Sequence, residues 1–460
     1  MKPTPEAGIP FENAPSATPD SPTRTASRID PYWAALWGQS SDATWVSRDI
    51  GLEQDRAGVA AVPSWLNVDP ESSWERLGGN GRGQDKRFAA LAVLDSWRTV
   101  TAEQLAAISG VPELATGISG TAGDLFVTGL ADVGLPNTPM RITRASRRVT
   151  VYRPSQGKVF QNELFPRLTF TEAVQITGDK PWSSGRQFDR HNILATELAL
   201  RVAEFCEIGA VAGEKFSTID ALAHSGCGFE PLLGSQRAAD ATLIRADGAR
   251  IAVELTASFG DKFDHKVRTW AKLLSERRMA DSGLVVLFVV APRAGRKDRT
   301  RDAVIRLRDS VRRAARAFAG IRGDMTIDRM FVASWRDWFP APGRIDPSFF
   351  TLDAWRPNGD SPDRWQPASM LDPIDVPFDT EDPDWFTAAI DNFGILRQTP
   401  PWLRNGHHPE IWPLAIKARG YTGIPVPPPS RPETFKNKTL GAAHGVSGQA
   451  RPPRRVLLVR

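Results

Sequence analysis

The chain contains little cysteine and no long apolar segment. Two cysteines among 460 residues, Cys206 and Cys227, leave no disulfide framework and no cysteine-rich zinc site, and they fit a reducing cytosol. The first residues, MKPTPEAGIPFENAPSATPDSPTRTAS, have no apolar core, so no signal peptide is expected. The longest apolar run, 284–291, is far shorter than a membrane span. We therefore expect a cytoplasmic protein without a membrane partner.

Several motifs of common enzymes are also missing. The sequence has no nucleophile elbow of a serine hydrolase, no phosphate-binding P-loop and no zinc-protease motif. The pair His407 and His408 has no partner ligands and predicts no metal site. The stretch 78–83 is rich in glycine, but no strand precedes it, so a linker is the better interpretation.

The charge balance of the chain is mildly basic. Lys and Arg number 58 against 53 Asp and Glu, which gives a formal charge of +5 and a pI of about 9.3. This balance favours an acidic partner such as DNA only if the arginines cluster in space. The apolar content of 41% and charged content of 24% are typical of a soluble globular protein, and the length allows two or three domains.

Composition and periodicity divide the chain into seven segments. We expect disorder over 1–29, which is rich in Pro, Ser and Thr, and in a basic tail over 431–460. The segments between them are a Trp-rich arm with a glycine linker (30–85), a winged helix (86–158), a connector (159–189), an α/β core (190–339) and a Trp- and Pro-rich extension (340–430).

The winged helix is predicted from three helices followed by a basic hairpin. The helices are predicted over 87–97, 102–108 and 113–131, and the strands over 140–143 and 149–153. Thr101 and Gln104 form a capping box for the second helix. In this fold the third helix enters the major groove and the hairpin contacts the DNA backbone.

The predicted third helix contains no Lys or Arg, so DNA contact is expected through the hairpin. The hairpin arginines are Arg141, Arg144, Arg147, Arg148 and Arg153. The alternative is a winged helix that binds protein, with these arginines only solvated.

The α/β core is predicted from alternating strands and helices. The order is a helix over 190–208, strands over 216–222, 241–245 and 251–255, a helix over 261–278, a strand over 284–291, a helix over 296–319 and a strand over 329–335. Asp240 precedes the second strand and Glu254 lies within the third. Two acids on neighbouring strand ends are hard oxygen ligands suited to Mg²⁺ over a phosphodiester.

This order, with Asp240 and Glu254-Leu255-Thr256, resembles the core of the PD-(D/E)XK nucleases. The resemblance implies a restriction-endonuclease-like fold in which Asp240 and Glu254 bind Mg²⁺. It also implies a water-orienting Lys at the position of Thr256, which a threonine cannot replace. In some members this Lys migrates to the following helix, where Lys266 is our first choice and Lys262 the second. An acid on the first core helix, Glu197, is expected to complete the metal ligands.

Part of the chain, 86–335, also resembles the replication-relaxation family. The resembling stretches are RFAALAVLDSWRTVTAEQLAAISG, RHNILATELALRVAEF, AADATLIRADGARIAVELT and KVRTWAKLL. The resemblance implies a protein of plasmids or integrative elements of Gram-positive bacteria, with a winged helix as DNA module and a nuclease-like core. In the family pattern the motif after the strand is often Glu-x-Asp, so Thr256 departs from this pattern too.

The segment 296–322 has ten basic residues against three acids, a pattern that favours phosphate contacts. Arg306, Arg312 and Arg313 are its candidate DNA contacts, and an ordinary solvated helix face is the alternative. Three functions stay open at this point: a Mg²⁺-dependent DNA endonuclease, a non-catalytic DNA-binding or mobilisation factor, and an assembly protein whose Trp-rich arms bind partner subunits.

Overall fold

A computed structural model describes much of the chain between residues 8 and 376. The described residues are 8–14, 25–34, 36, 43–58, 68–78, 83–116, 120–136, 150–155, 158–168, 170–177, 181–183, 189–217, 238–245, 247–256, 261–292, 300–358, 361–372 and 376. They form a mixed α/β protein with two compact units. The α/β unit comprises 1–17, 201–211 and 217–383, and the helical unit comprises 18–200, 212–216 and 384–460.

The helices are numbered in chain order. They are α1 (Arg48–Arg56), α2 (Pro70–Leu77), α3 (Gln84–Trp97), α4 (Ala102–Ser109), α5 (Gly120–Val127), α6 (Phe170–Thr177), α7 (Asp189–Phe205), α8 (Asp261–Glu276), α9 (Met279–Ser282), α10 (Thr300–Ala317) and α11 (Trp335–Trp338). Within the described part of the chain, no helix combines the length and the apolar character that a membrane crossing requires.

The strands are also numbered in chain order. They are β1 (Ile9–Pro10), β2 (Ala43–Val46), β3 (Val100–Thr101), β4 (Ala131–Pro136), β5 (Val151–Pro154), β6 (Ala210–Gly213), β7 (Ala241–Ile244), β8 (Arg250–Thr256), β9 (Leu284–Val290), β10 (Gly320–Ile321), β11 (Asp324–Met325), β12 (Met330–Ser334), β13 (Arg344–Ile345), β14 (Asp353–Asn358) and β15 (Ser361–Ser369).

A seven-stranded mixed sheet organises the α/β unit, in the order β15-β14-β12-β9-β8-β7-β6. The three central strands β12, β9 and β8 run parallel, whereas β7 and β14 are antiparallel to their neighbours. Every residue of β9, LVVLFVV, is buried, as expected for a strand covered on both faces. The predicted strand over 284–291 is therefore confirmed.

Helices α8 and α10 cover one face of this sheet. Their apolar stripes pack with even-numbered residues of β8, β9 and β12, because alternate strand residues point to the same face. The main contributors are Phe263, Val267, Trp270 and Leu274 of α8, Leu307, Val311 and Ala314 of α10, and Ala252, Val286, Phe288 and Val332 of the sheet. Each helix thus buries one apolar stripe against the sheet.

Arg329 joins α8 to the sheet and is fully buried. Its guanidinium donates to the Leu274 carbonyl in the last turn of α8 at 3.0 Å. It also donates to the carbonyl of Arg277, which directly follows the helix, at 2.7 Å. It also donates to the Leu284 carbonyl at 3.0 Å and to Asp324 at 3.2 Å. A single arginine therefore satisfies backbone acceptors that have no partner inside the helix.

Residues 8–14 form part of the α/β unit, so the prediction of disorder over 1–29 is wrong for them. Strand β1 pairs with β13, and Phe11 is buried. Phe11 lies 5.0 Å from the guanidinium of Arg201, which also contacts the rings of Trp335 and Phe339 at 5.3 and 4.3 Å. The low apolar content of this segment misled the prediction, since a few buried side chains suffice to hold it.

Two predictions for strands in the α/β unit need correction. The first strand lies at Ala210–Gly213, not at 216–222, and Phe216 ends a short 3-10 turn. Strands β14 and β15 extend the sheet where an irregular extension was predicted. Their prolines disrupt any sequence pattern, but Pro367 lies on the edge strand β15 and Pro357 of β14 lies beside a register shift. Trp385, Trp402 and Trp412 of the predicted extension lie outside the described residues.

The helical unit contains α3, α4 and α5 beside a four-stranded antiparallel sheet in the order β2-β4-β5-β3. The capping box of Thr101 and Gln104 is confirmed: Gln104 N donates to Thr101 at 3.2 Å and Thr101 N donates to Gln104 at 3.1 Å. The predicted arm and connector contain helices α1, α2 and α6.

The third helix predicted over 113–131 is wrong in its bounds. A 3-10 turn at Pro112–Thr116 precedes α5, and the last predicted residue begins strand β4. Gly120, Gly123 and Gly129 weaken a continuous helix here. The predicted strand over 140–143 lies outside the described residues.

Helix α5 is buried along Thr121–Val127 and carries Asp124 at its centre. Asp124 accepts hydrogen bonds from Ser73 at 2.7 Å, from Arg76 at 2.6 and 3.0 Å, and from Arg87 at 2.6 Å. Burial raises the pKa of Asp124, but these three donors outweigh it and hold the pKa below its usual value. Helix α2 thus covers the helix that was predicted to enter the major groove.

We expect Arg329→Met to lower the free energy of unfolding by about 3 kcal/mol, because it leaves the buried carbonyls of Leu274 and Leu284 and the Asp324 carboxylate without their donor. Urea denaturation followed by tryptophan fluorescence measures the change. The control is Arg322→Met at an exposed position, which should stay within about 0.5 kcal/mol of the wild type. Equal losses of unfolding free energy in the two variants would contradict a stabilising role for the buried hydrogen bonds of Arg329.

Candidate functional site

Asp240 and Glu254 lie side by side at one end of the β7–β8 hairpin. The Asp240 N–H donates to the Val253 carbonyl at 2.9 Å, and Asp240 Oδ2 accepts from the Leu255 N–H at 2.7 Å. The antiparallel pairing of Ala241 with Val253 places the start of β7 beside the end of β8. The structure therefore brings together the two acids that the sequence singles out.

Glu254 points toward α8 and contacts two of its side chains. The indole N–H of Trp270 donates to Glu254 Oε1 at 2.6 Å. The ammonium of Lys266 pairs with Glu254 Oε2. Lys266 and Trp270 are four residues apart and so share one side of the helix. The preferred candidate Lys266 thus reaches the acidic pair from the following helix.

The environment of Glu254 disfavours its charge. Only 2% of the residue is exposed, and burial raises the pKa of its carboxyl from 4.5 to about 7. Lys266 opposes this shift by favouring the carboxylate, whereas the charge of nearby Asp240 adds to the shift. The carboxyl of Glu254 therefore depends on Lys266 for compensation of its charge.

Thr256 ends β8 two residues after Glu254, so both side chains belong to the same face of the sheet. Thr256 is buried. A hydroxyl carries no positive charge, so Lys266 and not Thr256 supplies a cation to the pair. The side chain of the second candidate, Lys262, lies outside the described residues.

The donor set does not fit a divalent ion without displacement of Lys266. Both oxygens of Glu254 contact donors of α8, and one oxygen of Asp240 accepts a backbone N–H. The described residues contain no group of three His, Cys, Asp or Glu side chains that could hold a metal ion. Mg²⁺ binds hard oxygens, and an ammonium on the same oxygen repels it.

Glu197, the third predicted metal ligand, serves another contact. Its side chain is 1% exposed and lies in the helical unit. Arg28 donates to both of its oxygens at 3.1 and 3.3 Å, and Gln104 donates to Oε2 at 3.1 Å. Because these donors already surround the carboxylate, we leave Glu197 out of the site.

Exposed basic side chains share the outer side of α8 and α10, and we call this surface the basic face. Its members are Arg268 and Lys272 of α8 and Arg301, Arg306, Arg313 and Arg316 of α10. Among the described side chains of the two helices, the acids that reach solvent are Asp264, Glu276, Asp302 and Asp309, and the first and last of these are 50% and 41% exposed. The helices pack side by side, with Arg313 3.4 Å from Asp264 and Arg268 stacked on Phe318 at 5.7 Å.

The predicted DNA contacts of α10 differ in their exposure. Arg306 is exposed, and the side chain of Arg313 is 63% exposed. Arg312 is less exposed and pairs with Asp309 one turn earlier. Arg308 is withdrawn between the rings of Trp355 and Trp365, at 4.5 and 5.3 Å. Position in the helix thus separates the arginines that face solvent from the one that packs inside.

The hairpin arginines of the helical unit are described at one position only. Arg153 on β5 pairs with Asp132 at 3.2 Å and stacks on Trp45 at 4.0 Å, so its side chain is 11% exposed. These contacts hold the hairpin to the unit. Arg141, Arg144, Arg147 and Arg148 lie outside the described residues.

Sequence reasoning missed two contributors to these surfaces. Trp270 belongs to the apolar stripe of α8, but its indole N–H also donates a hydrogen bond to Glu254. Its spacing of four from Lys266 was the available signal. Arg268 and Lys272 were not selected, although they lie off the same stripe and carry the charge of the face.

Comparison of the chain with family models, curated proteins and solved structures finds no match in any of the three. The resemblance to the replication-relaxation family therefore stays a prediction.

We expect the stability of the protein to fall, relative to Glu254→Gln, as the pH rises from 4.5 to about 7. A raised pKa means that the folded state holds the proton more tightly, so the stabilisation is complete below 4.5 and is lost as the pH passes the folded pKa. At 1.36 kcal/mol per pKa unit, the shift from 4.5 to about 7 corresponds to roughly 3 kcal/mol.

Urea denaturation of both proteins at several pH values measures this difference. Glu276→Gln changes a more exposed acid on the same helix and should show no comparable trend. A difference between wild type and Glu254→Gln that does not vary with pH would rule out the raised pKa.

Proposed function

We propose that the protein binds DNA and that the basic face supplies the phosphate contacts of its α/β unit. The observation that carries the proposal is six exposed basic residues on two adjacent helices, against four acids among their described side chains, Asp264, Glu276, Asp302 and Asp309. Basic residues that neutralise phosphates release counterions, which supplies most of the affinity for DNA without reading its sequence. The charge of the chain as a whole is too small to support this proposal alone.

We propose further that the two units are a nuclease-like core and a winged helix. In the α/β unit the hairpin β7–β8, helix α8, strand β9, helix α10 and strand β12 follow the core order of the PD-(D/E)XK nucleases. In the helical unit three helices precede β4 and β5, and β3 between α3 and α4 pairs with β5. These orders support the assignment, and with it a role in DNA processing on a plasmid or integrative element.

Within a winged helix, the burial of α5 favours DNA contact through the hairpin over groove reading. Helix α5 carries no Lys or Arg, and its central acid is held by Arg76 and Arg87. The candidates are then the hairpin arginines Arg141, Arg144, Arg147 and Arg148. Binding through phosphates alone predicts little preference for a DNA sequence.

The contacts of the site favour DNA binding without cleavage over Mg²⁺-dependent DNA cleavage. Cleavage by this class of core needs Asp240 and Glu254 to be free for Mg²⁺, and the contacts of Lys266 and Trp270 with Glu254 oppose this. The observation that still favours cleavage is that Asp240, Glu254 and Lys266 lie together, as the acids and the lysine of a nuclease would.

Assembly through exposed tryptophans is less supported. Among the described arm tryptophans, Trp355 and Trp365 pack around Arg308, Trp45 stacks on Arg153 at 4.0 Å, and Trp74 lies 5.0 Å from the guanidinium of Arg167. These tryptophans therefore contribute to packing within their own units and leave less ring surface for a partner.

Arg306→Ala and Arg313→Ala should each weaken DNA binding and make it less dependent on salt. Each lost phosphate contact lowers the slope of log K against log salt by about 0.9. Fluorescence anisotropy with a labelled duplex over a salt series measures the slope for each variant and for unrelated duplex sequences.

The control is Arg56→Ala, which removes an exposed arginine from α1 beside the acids Glu53 and Asp55. Its slope should match the wild type. A wild-type affinity that does not change with salt, or equal slopes for all four proteins, would contradict phosphate contact by the basic face.

Supercoiled plasmid incubated with the protein and Mg²⁺ should not be nicked beyond the level seen in EDTA, because Lys266 pairs with the Glu254 carboxylate that would bind the ion. Asp240→Ala should give the same result as the wild type. Nicking that requires Mg²⁺ and disappears in Asp240→Ala would instead establish the endonuclease.

A further inference from the structure

Lys266 contacts Glu254 at the place where the resemblance to nucleases implies a metal ion. We infer that the ammonium of Lys266 is a built-in cation of this site, which takes the place of a divalent ion and closes the Asp240–Glu254 pair to Mg²⁺. The inference concerns cation binding and does not depend on the proposed DNA binding.

The first argument is the number of acceptors left on Glu254. Oε1 receives the indole N–H of Trp270 at 2.6 Å, and Oε2 receives the Lys266 ammonium. An indole only donates, and an ammonium has no acceptor, so neither can serve as a metal ligand. A divalent ion on Glu254 would have to displace one of them or lie beside a positive charge.

The second argument is that α8 holds both donors in place. Val267 and Leu274 of the same helix are buried in the core against the sheet, and Trp270 is itself 2% exposed. Arg329 secures the far end of α8 through the Leu274 carbonyl. Lys266 therefore lies within reach of Glu254 whenever the helix is folded, which gives its ammonium a high effective concentration at the site.

The third argument is access. Glu254 is 2% exposed, whereas the side chain of Lys266 is 32% exposed. Lys266 is therefore the member of the pair nearer to solvent. The remaining acid, Asp240, has one oxygen on the Leu255 N–H. Among the described side chains, removal of the Lys266 charge would leave two neighbouring carboxylates without a paired cation, an arrangement that attracts one.

Mn²⁺ binding to the full-length protein tests this inference, with Mn²⁺ as the probe because free Mn²⁺ is counted directly by electron paramagnetic resonance. The variants are Lys266→Gln, Lys266→Arg and the double variant Lys266→Gln with Glu254→Gln. Measurement at alkaline pH keeps the Glu254 carboxyl ionised in the absence of Lys266. Lys272→Gln removes the same charge from another position of α8.

We expect Lys266→Gln to bind one Mn²⁺ at least about tenfold more tightly than the wild type, since a unit charge beside the site is removed. The double variant, Lys266→Arg and Lys272→Gln should all stay at the wild-type level. This pattern would locate the gained site at Glu254 and attribute it to the Lys266 charge.

Two results would overturn the inference. One is a wild type that binds Mn²⁺ as tightly as Lys266→Gln and loses it in Glu254→Gln. The other is a folded Lys266→Gln, verified by circular dichroism, that binds no better than Lys272→Gln. If Lys266→Gln does not fold, Lys266→Met, which retains most of the aliphatic stem, replaces it and is judged by the same comparison. Either failure leaves the salt-dependence test of the basic face unaffected.

Discussion

A buried carboxylate on the central sheet sets the position of α8 and, through it, the surface of the α/β unit. Transfer of a charge from water is costly unless a partner compensates it, so Glu254 requires Lys266 and Trp270 on the side of α8 that faces the sheet. The rotation of the helix is then determined by this contact together with its apolar stripe. Arg268 and Lys272 point outward as a consequence, beside the arginines of α10.

The arginines of this chain perform two different tasks, which total charge does not distinguish. Arg28, Arg87 and Arg329 are buried and hold acids or backbone carbonyls inside their units. Arg306 and Arg313 face solvent on the same helix whose Arg308 packs between two tryptophans. An argument for DNA binding therefore depends on where each arginine lies. The formal charge of +5 includes both kinds.

The elements predicted well are those whose burial pattern is local. Helices α7, α8 and α10 and strands β8, β9 and β12 follow from periodicity, because each buries one stripe or one continuous run. Strands β14 and β15 were missed because their prolines are typical of loops, and the sheet tolerates them on the edge strand β15 and at the register shift of β14. The predicted third helix was too long because the residues after Gly129 form strand β4, which pairs with β2 and β5.

The sequence by itself determined the order of the central elements, the acids Asp240 and Glu254 at adjacent strand ends, and the departure at Thr256. The resemblance to the nucleases brought Lys266 into consideration, because in some members the lysine lies on the following helix. Only the tertiary structure decided that this lysine pairs with Glu254, that Glu197 is bound to Arg28 and Gln104, and that α2 covers α5. The physical reason is that the partner of a buried charged side chain is set by the packing of elements distant in the sequence. Such contacts leave no periodic pattern in the sequence.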